Sequence, residues 1–170
     1  MIQFDAMGFS GLEETDAEWQ PLPGVRGEPV RHPRHDYMGL LRRAGLRPTR
    51  QRMALSFILF SQGNRHLTAE MLHAEAIAAK LPVSLATVYN NLHQFTRAGL
   101  VRQISVDGSK AFFDTHPTEH HHFFIAAEHV LLDIPAADVV LGEMPAAPEG
   151  FEIVRVDVVV RLRRKRAAAK

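Results

Sequence analysis

The chain has 170 residues, 46% hydrophobic and 23% charged, with ten histidines and no cysteine. That length supports one or two small domains with cores of their own, and the missing cysteines exclude disulfides, thiolate zinc sites and thiol chemistry. No apolar run approaches the ~20 residues of a membrane helix and the acidic start lacks the apolar heart of a secretory leader, so a cytoplasmic protein without a membrane partner is expected.

The net charge of +1 conceals a segregation. Residues 1–37 carry 3 Lys/Arg against 7 Asp/Glu, and residues 38–115 carry 10 against 4. Residues 116–150 carry no base against 6 acids, and residues 151–170 carry 7 bases against 2. Basic charge gathered in one block and one tail is the footprint of a nucleic-acid surface beside a domain with another task.

In chain order, residues 1–36 contain Pro21, Pro23, Pro29 and Pro33 without sustained periodicity and read as a flexible N-terminal extension. Asp36 can cap a short helix that Gly45 ends. A second, largely buried helix runs from Thr49 to Phe60, and Thr68 opens a third with Glu70 in its first turn. Ser84 caps a fourth that reaches Gly99, with Leu85, Val88, Leu92 and Phe95 on one stripe. Its other face carries Thr87, Asn90, Asn91 and Gln94, with Tyr89 at the edge, all side chains that can meet base edges without repelling phosphates. Val101–Val106 and Lys110–Asp114 alternate around Asp107-Gly108, a hairpin signature. Three helices, a polar-faced fourth and a hairpin spell a winged helix-turn-helix over residues 37–115. Arg47, Arg50 and Arg52, before or at the start of the second helix, are candidates for phosphate or minor-groove contact.

Residues 116–164 read as a small α/β dimerisation and sensing domain. His121–Ala126 and His129–Ile134 are strand candidates, and Ala136–Met144 is a short-helix candidate. Phe151–Leu162 is expected to be a long strand with Val154, Val156, Val158, Val160 and Leu162 on one face, which a domain of this size buries by pairing with a second copy. Residues 165–170 read as a basic tail. The predicted fold is thus α+β: an N-terminal winged helix-turn-helix DNA-binding domain followed by a small α/β dimerisation domain.

His120, His121 and His122 are consecutive. In a strand, His120 and His122 share a face and His121 points away, so two imidazoles can bind one ion with ligands from elsewhere. Imidazole suits Zn(II), Fe(II), Mn(II) when carboxylates join, and haem iron. A divalent metal (Fe, Mn or Zn) and haem, the latter at His120, His121 and His122, are both candidate cofactors. The isolated His32, His35, His73, His93 and His129 read as structural or solvated.

The runs L-R-R-A-G-L-R-P-T-R-Q-R, H-L-T-A-E, S-L-A-T-V-Y-N-N-L, F-F-D-T and E-H-H-H-F-F make residues 40–134 resemble the ferric uptake regulator family. The unbroken H-H-H-F-F without cysteine is most similar to its iron response regulator branch. The resemblance implies a homodimer on double-stranded operator DNA that regulates iron and haem homeostasis, with affinity modulated by haem or iron and a haem-delivering enzyme as a further partner. It also implies a sensor of Zn(II), Mn(II) or peroxide as the alternative. Tyr89 matches the family's recognition-helix tyrosine and Arg47 its basic minor-groove residue. The regulatory metal ligands fall on His66, Asp114, His122 and Asp133, with His120 on the same strand. Ile125 and Glu128 stand where many members carry structural zinc cysteines. Val140 and Val156 remove ligands from a second iron-type site, leaving His121. An enzyme is not expected: a hydrolase on His66, Asp114 and His122 would need an accessible general base, and no phosphate loop or nucleophile elbow is present.

Overall fold

The computed structural model describes residues 36–106, 108, 110–116 and 118–165. The N-terminal extension, apart from Asp36, the tail beyond Lys165, His32, His35 and the turn residue Asp107 lie outside the described residues.

Four helices come first, each opened by a capping side chain, with Thr49, expected as the first residue of the second helix, standing one position before it as its cap. α1 is Tyr37–Arg43, α2 Arg50–Phe60, α3 Ala69–Ala78 and α4 Leu85–Arg97. Asp36, Thr49, Thr68 and Ser84 accept hydrogen bonds from Gly39, Arg52, Met71 and Thr87 N–H, each satisfying a donor the helix cannot use internally. At the other end, α1 and α4 stop where Gly45 and Gly99 both turn left-handed at φ 71°. The following amides close back onto Leu41 and Phe95 carbonyls at 2.8 and 2.9 Å, a terminator that needs positive φ and therefore glycine.

Two three-stranded sheets complete the fold. β1 (His66–Leu67), β2 (Arg102–Ser105) and β3 (Ala111–Asp114) form the first, in the order β1-β3-β2. β4 (His120–Ile125), β5 (Val130–Pro135) and β6 (Val159–Leu162) form the second, in the order β5-β4-β6, with β6 parallel to β4. Helices α3 and α4 followed by the β2–β3 wing are the expected winged helix-turn-helix.

β3 explains how the halves join. Successive side chains of a strand face opposite ways, so Phe113 enters the helical core with Leu41, Leu55, Leu59, Leu72, Leu92 and Phe95. Its neighbour Phe112 enters a second core with Ile104 and Val106 of the wing and Phe124 and Leu131 of the second sheet. The Phe112 and Phe124 rings meet edge-on, centroids 6.1 Å apart. Arg161 of β6 donates to the Val106 carbonyl, and its guanidinium stands 5.6 Å over the Phe124 ring. The wing is therefore a wall shared by both domains.

Two expectations are corrected. Ala136–Met144 is not a helix: a 3-10 turn covers only Ala136–Asp138. The long strand Phe151–Leu162 is reduced to its last four residues, Val159–Leu162. Both segments leave apolar side chains in solvent, with Val140 93%, Phe151 77% and Val154 85% exposed. Short helices draw most of their stability from packing an apolar face, and a strand needs a ladder partner; a single copy supplies neither here. The β4–β5 pair also begins one residue away from expectation, because His129 sits left-handed (φ 50°) in the connecting turn.

Candidate functional site

The candidate DNA-reading surface is built on α4. Val88, Leu92 and Phe95 are fully buried, which turns the opposite face outward. Asn90 is exposed there, and Thr87 and Tyr89 are half-buried. Arg47 and Arg50 are exposed near the start of α2. Arg52 and Asn91 are placed otherwise than a DNA contact requires. Arg52 Nε donates to Asn91 Oδ1 at 3.3 Å, and the same guanidinium donates to Gln94 Oε1 and the Arg47 carbonyl. The amide of Asn91 donates to the Thr87 carbonyl at 2.8 Å. These side chains join α2 to α4 instead of facing outward. Arg52→Ala strands two amide oxygens and is expected to lower stability by about 1–3 kcal/mol, measured by urea unfolding. The exposed Arg47→Ala should stay within about 0.5 kcal/mol of the parent.

The second site lies where the two sheets meet. β1 pairs with β3 so that His66 stands opposite Asp114, and β4 with β5 so that His122 stands opposite Asp133. His120 and His122 share a face of β4, as alternation requires, and look toward the first sheet. One ligand atom from each of His66, His120, His122 and Asp133 lies within 4.8 Å of every other. Asp114 belongs to the same cluster, with Oδ2 3.0 Å from His120 Nε2 and 3.8 Å from His122 Nε2. His66 Nε2 is 3.0 Å from Asp133 Oδ1.

Nearly every other polar atom of these residues is already engaged. His120 Nδ1–H donates to the Thr118 carbonyl at 2.8 Å, which turns the Nε2 lone pair inward. Asp114 Oδ1 accepts the His116 amide at 2.7 Å. Asp133 Oδ2 accepts from His116 Nδ1 at 2.9 Å, and His116 Nε2 accepts from the Thr118 hydroxyl at 2.8 Å. What remains is a set of buried atoms with no hydrogen-bond partner: Nε2 of His66 and His120, both ring nitrogens of His122, Oδ2 of Asp114 and Oδ1 of Asp133. Leaving such groups unpaired costs about 1–3 kcal/mol each, and one cation would satisfy all of them except His122 Nδ1. With metal bonds of about 2.0–2.2 Å, neighbouring ligands sit about 3 Å apart and opposite ones about 4 Å; the imidazole–carboxylate pairs here run from 3.0 to 4.0 Å within a set no wider than 4.8 Å. Three imidazoles and two carboxylates suit Fe(II) or Mn(II), and Zn(II) at expanded coordination.

Electrostatics keep both carboxylates of this set ionised. At His120 burial is outweighed by Asp114 and Asp133, which raise its pKa, so that a proton competes with a cation there. Burial pushes the Asp114 carboxyl up, but the imidazoles of His120, His122 and His66 outweigh it and hold the group well below the usual carboxylate range. Asp133 behaves alike, burial being overcome by His116 and His66. Stability these depressed carboxyls contribute is present at neutral pH and is lost as pH falls through their folded pKa values. Burial, reinforced by the charges of His66 and His120, lowers the pKa of His122 despite Asp114, favouring the neutral form a metal needs. His116 was missed in the sequence; its two-residue spacing from Asp114 was the available signal.

His121 is apart from the cluster. Its Nδ1 accepts the Val158 amide at 3.3 Å, and it lines a cavity of about 200 Å³ with Glu119, Leu141, Arg155 and Val156. His120 also borders this cavity, but its Nε2 is turned to Asp114, and the Arg155 guanidinium opposes a cation there.

The model of the ferric uptake regulator family matches residues 43–160. The chain belongs to the ferric uptake regulator family. It is 36% identical over 131 residues to ferric uptake regulation protein 1 of Mycolicibacterium fortuitum, covering 73% of this chain and 77% of that one. It is 35% identical over 96 residues to the peroxide-responsive repressor PerR of Staphylococcus epidermidis, covering 56% and 63%. The structure of the ferric uptake regulator from Pseudomonas aeruginosa with manganese superimposes with a TM-score of 0.61 at 30% identity, covering 77% of this chain and 99% of that one. Members of the ferric uptake regulator family are metal-dependent transcription regulators that bind DNA as dimers, and they are not enzymes. No described helix is long and apolar enough to cross a membrane.

Proposed function

We propose that this chain is a homodimeric repressor whose grip on operator DNA is set by a divalent cation, Fe(II) or Mn(II), held by His66, His120, His122, Asp114 and Asp133. The observation that carries this reading is that buried, unpartnered ligand atoms of His66, His120, His122 and Asp133, from both sheets, lie within 4.8 Å of one another, with Asp114 Oδ2 3.0 Å from His120 Nε2. His66 and Asp114 belong to the reader and its wing; the other three belong to the second sheet. A bound cation supplies the charge that draws both sets of ligands together. The residues themselves fix the angle between the domains, and with it the placement of two α4 helices on a duplex, because whatever completes the shell favours the arrangement in which all five ligands meet. Arg47, Arg50, Thr87, Tyr89 and Asn90 are the side chains we assign to DNA, with Arg52 and Asn91 supporting them from behind. The apolar side chains of residues 140–154 left in solvent are the surface we assign to the second copy.

Peroxide sensing through an iron ion at the same ligands is supported by the likeness to a peroxide-responsive repressor. The H-H-H-F-F run and the missing cysteines support placement near the iron response regulator branch, with haem as effector and a haem-delivering enzyme as partner. Haem at the triplet draws less support. His121 faces away from His120 and His122, and its cavity of about 200 Å³ is below the roughly 300 Å³ at which pockets begin to hold drug-sized ligands. A gel shift on a duplex selected by the protein, run with chelated, Mn(II)-loaded and haem-loaded samples, separates the readings. Retardation that appears only with Mn(II) is expected. Retardation by chelated protein that haem alone relieves overturns the cation reading.

A further inference from the structure

The hydroxyl of Tyr89, on α4, donates to Glu70 Oε1 at 3.0 Å. The Lys110 ammonium, at the turn end of the wing, stands 3.8 Å from the same oxygen. Glu70 lies in the first turn of α3, four residues after His66, and its Oε2 is buried without a hydrogen-bond partner. The Tyr89 ring also stacks on His93 one turn along α4, with centroids 6.3 Å apart and 27° between planes. A carboxylate on a face that meets phosphates weakens DNA binding through repulsion, so its presence there calls for a compensating role. A hydrogen bond to a charged acceptor is about twice as strong as a neutral one, and it removes the rotamer freedom of a half-exposed tyrosine. Through α3, the same carboxylate connects the recognition helix to the strand that carries a metal ligand.

We propose that Glu70 is a positioning residue for operator recognition: it locks the Tyr89 ring in the orientation that reads the duplex, and it ties that orientation to the metal site through α3. The inference rests on the DNA-binding reading above. Its test is a double-mutant cycle on the full chain, Tyr89→Phe against Glu70→Ala. Fluorescence anisotropy is measured on a duplex selected from a random pool by the Mn(II)-loaded parent, and on an unrelated duplex of equal length. Each single change is expected to weaken the selected duplex roughly tenfold and the unrelated one far less, while the double variant loses no more than either single one. Glu70→Gln, whose amide carbonyl still accepts, should retain most of the preference. In Glu70→Ala the ratio between Mn(II)-loaded and chelated affinities should shrink. A merely structural role would weaken both duplexes together, and that outcome, like losses that multiply in the double variant, overturns the inference while leaving the regulator reading intact. A parent that prefers no duplex overturns both.

Discussion

His122→Ala is expected to lose at least about 100-fold in Mn(II) affinity and, with it, the whole metal-dependent gain in DNA affinity. Changes to residues that only orient a ligand already cost 10–100-fold, and His122 is one of five inward donors. Its side chain is 1% exposed and its Nε2 lies 3.8 and 4.0 Å from the two carboxylates, so no solvent-borne ligand can replace it without rearrangement. Because burial and the neighbouring imidazoles favour its neutral form, the substitution removes a lone pair and not a charge on which the metal-free fold depends. Calorimetric titration with Mn(II) reads the affinity, and circular dichroism checks that the variant is folded. Parent-like Mn(II) affinity in a folded His122→Ala variant would remove the strand from the site.

Phe124→Ala should produce the largest loss of stability near the domain junction, about 3–5 kcal/mol. The ring is fully buried between the wing and the second sheet, against Phe112 and beneath Arg161. It stands on the same face of β4 as His120 and His122, so one strand presents metal ligands at one end and the apolar contact with the wing at the other. The milder Phe124→Leu keeps the fold and loosens that contact. Its expected signature is Mn(II) binding close to the parent's with a smaller gain in DNA affinity on metal binding, because the ligands then close without carrying the wing. Urea unfolding and Mn(II) titration of the two variants check both halves. A Phe124→Leu variant with the full metal-dependent gain would show that the wing contact transmits nothing.

The parts readable from sequence were those decided by local chemistry. Asp36, Thr68 and Ser84 announced helix starts because a short polar side chain before an apolar run has one main use there. Leu85, Val88, Leu92 and Phe95 announced the buried stripe of α4 by spacing. The alternation that puts His120 and His122 together and His121 apart follows from the strand's period of two. The parts that depended on a partner were not readable. Composition could not tell that Arg52 would face Asn91 and Gln94 instead of DNA, since any polar face offers several amides and only packing decides which one meets the neighbouring helix. Ala136–Met144 and Phe151–Val158 carry apolar patterns for which the described residues of one chain supply no packing surface. His116 escaped notice as a site residue because only its spacing from Asp114 is local, whereas its ring orients Asp133 of a distant strand from behind.

The most direct test of the account is reciprocity between metal and DNA. Anisotropy gives the affinity for the selected duplex with chelated and with Mn(II)-loaded protein, and calorimetry gives the Mn(II) affinity with and without that duplex. Energetic coupling between two sites must be the same in both directions, so both ratios should agree and lie between about 5- and 150-fold. Equal duplex affinity with and without Mn(II), in a protein that still binds the ion at His66, His120 and His122, would contradict the claim that this junction governs the grip on DNA.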